Sequence, residues 1–473
     1  MVDGLTGEFS GLEVAVVGTG LSGRAAAAAL LRLGAAPWIV DTRPAEAIPE
    51  AAREALSGAD FPVLYADPSS LARASLAVLS PGVSIRDPFL GEALAAGVEV
   101  IGEVELAARA RPKARIVGIT GTNGKSTSTA LTGALLAAAG RRCVVCGNIG
   151  SPLVTHVIER EDAPIFVTEL SSFQLETVTR FHAVAATILN VTDDHRDRHP
   201  RFEEYVAVKA RIFDNQEPAD AAVLNAACPP LAALGLSLID RRLLCFSSLG
   251  EVDRGGYLRG DTLWLRLDGT AEAICGRADM RLQGMHNVEN VLAAACLAGS
   301  LGLSVGEMRK AAVEFIPAAH TYRTVGSANG VRYVNDSKGT NVDSTLRALD
   351  GCTAPTILIA GGASKDADYT PLGPAIARRC TALLTIGQTG PDVASAARAV
   401  GFGAIEECDT LEQAVLRSSE LARPGDVVLL SPASASFGLF RDYKHRGEAF
   451  EEAVRGLPGF APAAWGNEDE TRQ

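Results

Sequence analysis

Short apolar runs recur along this chain. Each gives way to small, glycine-rich or polar positions and then to a longer segment with apolar residues at helical spacing. Near the start, Val14-Ala-Val-Val ends in Gly18-Thr-Gly-Leu-Ser-Gly23. An alanine- and leucine-rich stretch follows to Leu33, Gly34 closes it, and Trp38-Ile-Val is the next run. Uninterrupted apolar runs suit strands covered on both faces of a parallel sheet, and their alternation with helices predicts strand–turn–helix–strand units. Leu76-Ala-Val-Leu predicts a later strand, with Ser80-Pro-Gly82 as its C-terminal loop.

The pattern resumes after a basic, proline-containing stretch, Arg109 to Arg115, which reads as a linker. Strands are predicted at Arg115–Thr120, Cys143–Cys146, Ile165–Leu170, Ala185–Asn190 and Ala221–Leu224, with helices between them. Tyr257 to Leu267 alternates apolar and polar residues, the period of a half-buried antiparallel piece. Further on, Val331-Arg-Tyr-Val, Thr356-Ile-Leu-Ile-Ala, Ala382-Leu-Leu-Thr-Ile and Val427-Val-Leu-Leu-Ser are strand-like, and the polar, acidic tail after Pro462 is expected to fray.

Composition narrows the class. The 473 residues are 47% hydrophobic and 21% charged, ordinary for a globular chain. A net charge of −12, with no basic tail, argues against nucleic acid as the main partner. Nine dispersed cysteines suit a reducing cytosol better than a disulfide framework. Cys143-Val-Val-Cys146 has no second pair at zinc spacing, so it reads as a buried strand end. The N-terminus lacks a basic, then apolar, leader, and no apolar run reaches the roughly 20 residues of a membrane span. Ala25–Leu31 and Val291–Leu303 read as packed helices. The expectation is a cytoplasmic protein.

Two glycine-rich motifs carry the candidate chemistry. Gly18-x-Gly20-x-x-Gly23 follows a strand and opens a helix, and Asp41 ends the next strand. That is the dinucleotide fingerprint, compatible with a nicotinamide cofactor, with another nucleotide's phosphate or ribose, or simply with a tight turn. The second motif, Gly121-Thr122-Asn123-Gly124-Lys125-Ser126-Thr127, follows a strand and opens a helix expected over Ser126–Ala139. Such glycines let backbone N–H groups face phosphate oxygens. The helix N-terminus adds positive potential, Lys125 a point charge, and Ser126 a hydroxyl for Mg²⁺. The first glycine of the general P-loop is displaced, since Ile119 stands where it belongs and Gly118 is one place earlier. A triphosphate site follows from this motif.

Three further positions share that region. Glu169 ends the run Ile165-Phe-Val-Thr, placed for Mg²⁺, for a water, or for a strand-end ion pair. Asn190-Val-Thr-Asp-Asp-His195 leaves the next strand on the same sheet edge, where open α/β sheets bind ligands. That placement favours a functional His195 over a merely solvated loop, whereas His199, beside Pro200, reads as structural. Phe202, Val206, Lys209 and Phe213 fall on one face of a helix predicted over Phe202–Phe213. A lysine inside an apolar stripe either extends its amine to solvent or has a function, and the spacing does not choose.

Together these blocks resemble the Mur ligase family, and the likeness spans the chain. Thr168-Glu-Leu-Ser-Ser-Phe-Gln-Leu-Glu176, Gly284-Met-His-Asn287-Val-Glu-Asn290, Asn335-Asp-Ser-Lys-Gly-Thr-Asn341, Gly361 to Asp368 and Ser431-Pro-Ala-Ser-Ala-Ser436-Phe belong to the same set. The family's P-loop has the displaced glycine. The resemblance implies three α/β domains: an N-terminal Rossmann-like domain (1–108), a central P-loop ATPase-type parallel sheet with a small antiparallel piece (109–319), and a C-terminal Rossmann-like domain (320–473). It implies an ATP-dependent ligase joining D-glutamate to UDP-N-acetylmuramoyl-L-alanine through an acyl phosphate, as a monomer.

Site residues follow from the same resemblance. Leu21, Ser22, Asp41, Thr42, Arg43, Ser80, Gly82 and Asn148 would meet the UDP-sugar, in place of NAD. Lys125, Ser126, Glu169, Asn287, Asn290, Arg323 and Asp336 correspond to ATP and Mg²⁺ positions. His195 and a carbamylated Lys209 correspond to a second Mg²⁺ site. Lys338, Thr340, Lys365, Ser436 and Phe437 would surround the glutamate. Two departures stand out: Tyr322-Arg323 where the family has His-Arg, and Ser436-Phe437-Gly438 where it often has Ser-Phe-Asp. A nicotinamide dehydrogenase would leave the P-loop unused. A P-loop regulatory protein would need no amino acid, and a folylpolyglutamate synthase would lack the first domain.

Overall fold

A computed structural model describes residues 4–48, 50–160, 162, 164–196, 198–282, 284–364 and 367–463. The chain divides into two compact units, Met1–Asp279 with Glu289–Glu314, and Met280–Val288 with Phe315–Gln473. Two sheets lie in the first unit and one in the second.

The first sheet holds β1 (Glu13–Val17), β2 (Ala36–Asp41), β3 (Val63–Tyr65), β4 (Leu76–Leu79) and β5 (Glu99–Gly102) in the order β3-β2-β1-β4-β5, all parallel. The order reverses beside β1, so a crevice opens at its C-terminal end, where the glycine-rich turn lies. β3 and β5 were not expected from the sequence. β3 is only half-buried and carries little apolar signal, and β5 begins at an exposed glutamate.

The second sheet takes β6 (Ile116–Thr120), β7 (Cys143–Gly147), β8 (Ile165–Glu169), β9 (Ala185–Ile188), β10 (Ala221–Asn225), β11 (Arg242–Ser247), β12 (Gly255–Arg259), β13 (Thr262–Arg266) and β14 (Ala271–Gly276). Its order is β14-β13-β12-β11-β10-β9-β6-β8-β7, parallel except where β12, β13 and β14 run antiparallel, as the alternation at Tyr257–Leu267 predicts. The five residues of β6 are all buried, between β9 and β8. Gly118 lies within β6, and a Cβ there would stand 2.9 Å from Ile212 Cδ1. Gly118 is therefore a packing glycine, which explains why it is not in register with the phosphate loop. The helix expected at Phe202–Phe213 is α-helical over Phe202–Ala210 and tightens to 3₁₀ over Arg211–Phe213. The P-loop helix covers Lys125–Ala138.

The helix Glu103–Ala110 joins the two sheets of the first unit, and all eight of its residues are buried, ionisable ones included. Glu103 accepts the Val154 amide at 2.6 Å, at the start of the helix Leu153–Glu159. Glu105 accepts the amides of Thr179, Arg180 and Phe181 and Nε of Arg109. Glu105 keeps its charge because several donors meet it, whereas Glu103 retains one unpartnered oxygen and burial raises its pKa to about 7.

The third sheet contains β15 (Arg323–Ala328), β16 (Val331–Asn335), β17 (Thr356–Ala360), β18 (Cys380–Ile386), β19 (Ile405–Cys408), β20 (Val427–Leu430) and β21 (Phe460–Pro462), in the order β19-β18-β17-β20-β16-β15-β21. β15 pairs antiparallel with both β16 and β21, and the rest is parallel. Separate apolar clusters form around Ile359 and Leu430 and around Leu358 and Leu429, because side chains alternate between the two faces. Among the described residues no helix is long and apolar enough to cross a membrane, and no three His, Cys, Asp or Glu side chains gather as a metal cluster. The nine cysteines are free.

Candidate functional site

The phosphate loop is built by local backbone rules. β6 ends at Thr120, Gly121 turns with φ 154°, and Gly124 takes the left-handed conformation (φ 82°) that starts the helix at Lys125. A Cβ on Gly124 would lie 2.3 Å from Asn290 Oδ1, so that amide packs directly on the loop. Asn290 Oδ1 also accepts from Ser128 Oγ at 3.1 Å. Asn190, leaving β9, clasps the other side: its Oδ1 accepts the Asn123 amide at 2.9 Å and its Nδ2 donates to Asn123 O at 3.1 Å. Thr122 is held by Thr192 in both directions, Oγ1 donating to its carbonyl at 3.1 Å and accepting its amide at 3.0 Å. The loop is thus a preformed turn.

Two lysines meet at this turn. Lys125 Nζ donates to Gly121 O at 2.9 Å and Thr122 O at 2.8 Å. Lys209 Nζ donates to the same Gly121 carbonyl at 3.0 Å and stands 4.4 Å from the centre of the Tyr205 ring. The Lys209 side chain is only 1% exposed, so the stripe on its helix points inward and not to solvent. Burial, and next the Lys125 charge, push its amine well below the ordinary lysine range, against a smaller pull from Asp194.

Glu169 ends β8 opposite Ile119 of β6, on the edge that carries the loop. It is 2% exposed. Oε1 accepts from Asn148 Nδ2 at 2.8 Å, while Oε2 is buried without a hydrogen-bond partner. His195 has φ 54° and packs its ring edge-on to Phe173 at 4.8 Å. His199 is buried, 3.1 Å from Ser172 Oγ, and burial lowers its pKa, in keeping with a structural role.

At the first sheet, Asp41 Oδ2 accepts from the Thr19 amide at 3.1 Å and its hydroxyl at 2.6 Å, and Oδ1 accepts from Arg43 Nε at 2.9 Å. Burial works against this charge, but hydrogen bonds from Arg43 and Thr19 outweigh it and hold the pKa down at about 2. A Cβ on Gly18 would stand 2.7 Å from Ser80 Oγ, and one on Gly23 would stand 2.0 Å from Gly18 O. The glycines bring β1, its helix and the Ser80 loop into contact. Around that crevice Leu21, Arg43 and Gly82 are exposed and Ser22 and Thr42 half-buried, whereas the exposed Asn148 follows β7 in the second sheet.

In the second unit, Asp336 follows β16. Oδ1 accepts the Tyr322 amide at 3.1 Å and Oδ2 the Ser431 hydroxyl at 2.7 Å, while burial raises its pKa to about 7. Arg323 opens β15 and pairs in register with Asn335. Lys338 places its ammonium 5.9 Å from the centre of the Tyr443 ring, a residue the sequence did not single out. Thr340 follows on the same loop, donating its amide to Lys338 O. Ser436 is buried, whereas Phe437 is 65% exposed. Lys365 lies outside the described residues. Asn287 lies in the first turn of the helix Met285–Ser300, in the second unit, while Asn290 belongs to the first. Thr19, Tyr205 and Tyr443 were missed because a lone Thr or Tyr carries no spacing signal; their roles come from neighbours distant in sequence.

Comparison with known proteins shows the family of the chain. Residues 12–102 match the "Mur ligase MurD-like, N-terminal domain", 119–298 the "Mur ligase middle domain", and 322–434 the "Mur ligase, glutamate ligase domain". The chain is 44% identical to the UDP-N-acetylmuramoylalanine--D-glutamate ligase of Anaeromyxobacter dehalogenans, over 94% of this chain and 97% of that protein. It is 40% identical to the protein of the same name from Chromobacterium violaceum, over 94% and 98%. Among solved structures, a pseudomurein peptide ligase type C from Methanothermus fervidus shares the fold (TM-score 0.60, 15% identity, 93% of this chain and 99% of that one). So does the MurF ligase from Thermotoga maritima in complex with ADP (TM-score 0.58, 17% identity, 95% and 97%). With relatives this similar along nearly its whole length, the chain belongs to the Mur ligase family.

Proposed function

We propose that this protein is an ATP-dependent ligase that adds D-glutamate to UDP-N-acetylmuramoyl-L-alanine, a step of peptidoglycan precursor synthesis. The observation that carries the reading is the preformed phosphate loop, with Lys125 and the buried Lys209 on one carbonyl and the carboxylate of Glu169 on the adjoining strand. Relatives at 38–44% identity bear the name of that ligase.

The amides of the turn and Lys125 would cradle the β- and γ-phosphates, with Thr122, Asn123 and Thr127 completing the wall and Asn287, Asn290, Arg323 and Asp336 serving the nucleotide. The L-alanyl carboxylate attacks the γ-phosphorus, the bond to ADP breaks, and an acyl phosphate forms. The deprotonated amine of D-glutamate then adds to the acyl carbon, and phosphate leaves from the tetrahedral intermediate. The chain's own contribution is positioning and charge compensation by a turn that needs no reorganisation. Asp41, Arg43, Thr42, Leu21, Ser22, Ser80, Gly82 and Asn148 would hold the UDP-sugar, and Lys338, Thr340, Lys365, Ser436 and Phe437 the glutamate.

The donor set suits Mg²⁺. The unpartnered Glu169 Oε2 is a hard oxygen in want of a cation, and Ser126 stands at the helix start. Ser126 and Glu169 would hold one ion, and His195 with Lys209 a second. Two ions would offset charge on the transferring phosphoryl group. For Lys209 to serve, its amine must be neutral and gain CO₂, losing a proton to become a carbamate; burial beside Lys125 favours the neutral amine. The same reading makes the enzyme a cytoplasmic monomer whose product supports cell shape and division. Phosphate release with UDP-N-acetylmuramoyl-L-alanine and a panel of D- and L-amino acids tests it. D-glutamate alone should give rapid release, and ATP turnover indifferent to the amino acid would overturn it in favour of a P-loop ATPase.

A further inference from the structure

Among the described residues, Arg446 is the largest fully buried side chain, with 0% exposure. It sits in the first turn of the helix Tyr443–Arg455 and makes no direct ion pair with a carboxylate among the described residues, although the charge of Asp336 reaches it. Its five N–H bonds instead meet five acceptor contacts. Nε donates to Ser337 Oγ at 3.1 Å, and Nη1 donates to the carbonyls of Ser434 and Ala435, both at 3.2 Å. Nη2 donates to the carbonyls of Ser337 at 2.9 Å and Ser434 at 3.2 Å. An unpaired guanidinium is costly to bury, and the cost is tolerated here only because every donor is met.

Those acceptors belong to two loops that leave neighbouring strands, β16 and β20, at their C-terminal ends. A third loop, after β17, closes over the same group. A Cβ at Gly362 would lie 3.0 Å from Arg446 Nη1 and 2.3 Å from Ala435 O, and the Ala363 amide donates to Ala435 O at 2.8 Å. Ser434 is further tied through Oγ to Tyr369 at 2.8 Å and to Thr389 at 2.7 Å. Ser337 Oγ passes the network on by donating to Tyr443 O at 2.7 Å. Three loops therefore converge on one planar fork, and they carry Lys338, Thr340 and Ser436 immediately beside the clamped residues.

We propose that Arg446 is a positioning residue for the amino-acid subsite: it sets the spacing between the Lys338 loop and the Ser436 loop, and hence the fit of the incoming dicarboxylic amino acid. The inference rests on the ligase reading above. A lysine has three donors on one rotating nitrogen and cannot span the acceptors on both loops. Arg446→Lys should thus raise the KM for D-glutamate at least tenfold. Acyl-phosphate formation from ATP and UDP-N-acetylmuramoyl-L-alanine without glutamate, trapped with hydroxylamine, should stay within about threefold in that variant, because the lysine keeps the positive charge that Asp336 feels and Asp336 keeps its own bonds to Tyr322 and Ser431. Arg446→Ala leaves a guanidinium-sized space, so millimolar guanidinium should lower the KM again, while equal sodium chloride should not. Ser337→Ala, which removes one acceptor, should move the KM in the same direction by less, and it keeps the test available if the arginine variants do not fold. An unchanged glutamate KM in folded variants, or an equal fall of both half-reactions, overturns the proposal. Failure of the wild type to use D-glutamate would instead overturn the ligase reading.

Discussion

Replacing Lys209 by alanine probes the least ordinary feature of the phosphate site. The lysine is buried, donates to Gly121 O at 3.0 Å, and shares that carbonyl with Lys125. Truncation removes three buried methylenes, about 0.8 kcal/mol each, and one hydrogen bond of about 1 kcal/mol, so roughly 3 kcal/mol of stability. A domain stable by about 5–15 kcal/mol survives that. Activity should suffer far more. A carbamate on Nζ would be an oxygen ligand to Mg²⁺, and losing one fixed electrostatic group of that kind costs on the order of 10²–10³ in rate. Lys209→Met separates the two effects: it refills most of the space, restoring stability, but cannot carry CO₂ and should remain as slow as the alanine variant. The assay is phosphate release at saturating substrates, with thermal melts as the control for folding. Acetate should partly restore the alanine variant by supplying a carboxylate where the side chain was, and it should do nothing for the methionine variant. Removal of dissolved CO₂ should slow the wild type reversibly. Full turnover by folded Lys209→Met, or by the wild type after exhaustive CO₂ removal, would refute the carbamate.

The remaining predictions address separate parts of the molecule. Lys125→Ala should abolish ADP formation while UDP-sugar binding, measured by calorimetry, persists; near-normal ADP production would sink the assignment of the phosphate loop. Neutralising Lys338 or Lys365 should raise the KM for D-glutamate well above any change for ATP, and comparable use of D-alanine and D-glutamate by the wild type would contradict their role. Glu105 concerns stability and pH. Burial alone would raise its pKa, but hydrogen bonds from Thr179, Arg109 and Arg180 hold the carboxyl below its usual range. Its stabilisation is therefore present above the unfolded value of about 4.3 and is lost as pH falls through the folded value. Glu105→Gln would turn an amide toward backbone N–H donors and should cost about 2–4 kcal/mol at pH 7 in urea unfolding, with the gap to wild type narrowing in acid. A gap independent of pH would contradict the account.

Much of this protein was legible along the chain. The buried parallel strands announced themselves as unbroken apolar runs, and the phosphate turn as glycines between a strand and a helix, because both depend on local backbone geometry. β12 and β13 followed from alternation, since one face of that piece is packed and the other wet. The sequence also placed Lys209 on an inward stripe, although it could not decide whether the amine reached solvent. That answer came from Thr120 and Gly121, which meet the amine from another element, and from Tyr205 one turn back on its own helix. Short or half-buried strands such as β3 and β19 stayed hidden, because pairing and not composition makes them strands. The eight buried residues of Glu103–Ala110 were unreadable as such, since a carboxylate looks solvated until backbone amides from residues 154 and 179–181 arrive to meet it. The same holds for Arg446, whose acceptors lie 11 to 109 positions away. Periodicity and turn chemistry are properties of neighbours in sequence, whereas the satisfaction of a buried charge is settled only when distant segments of the chain fold against it.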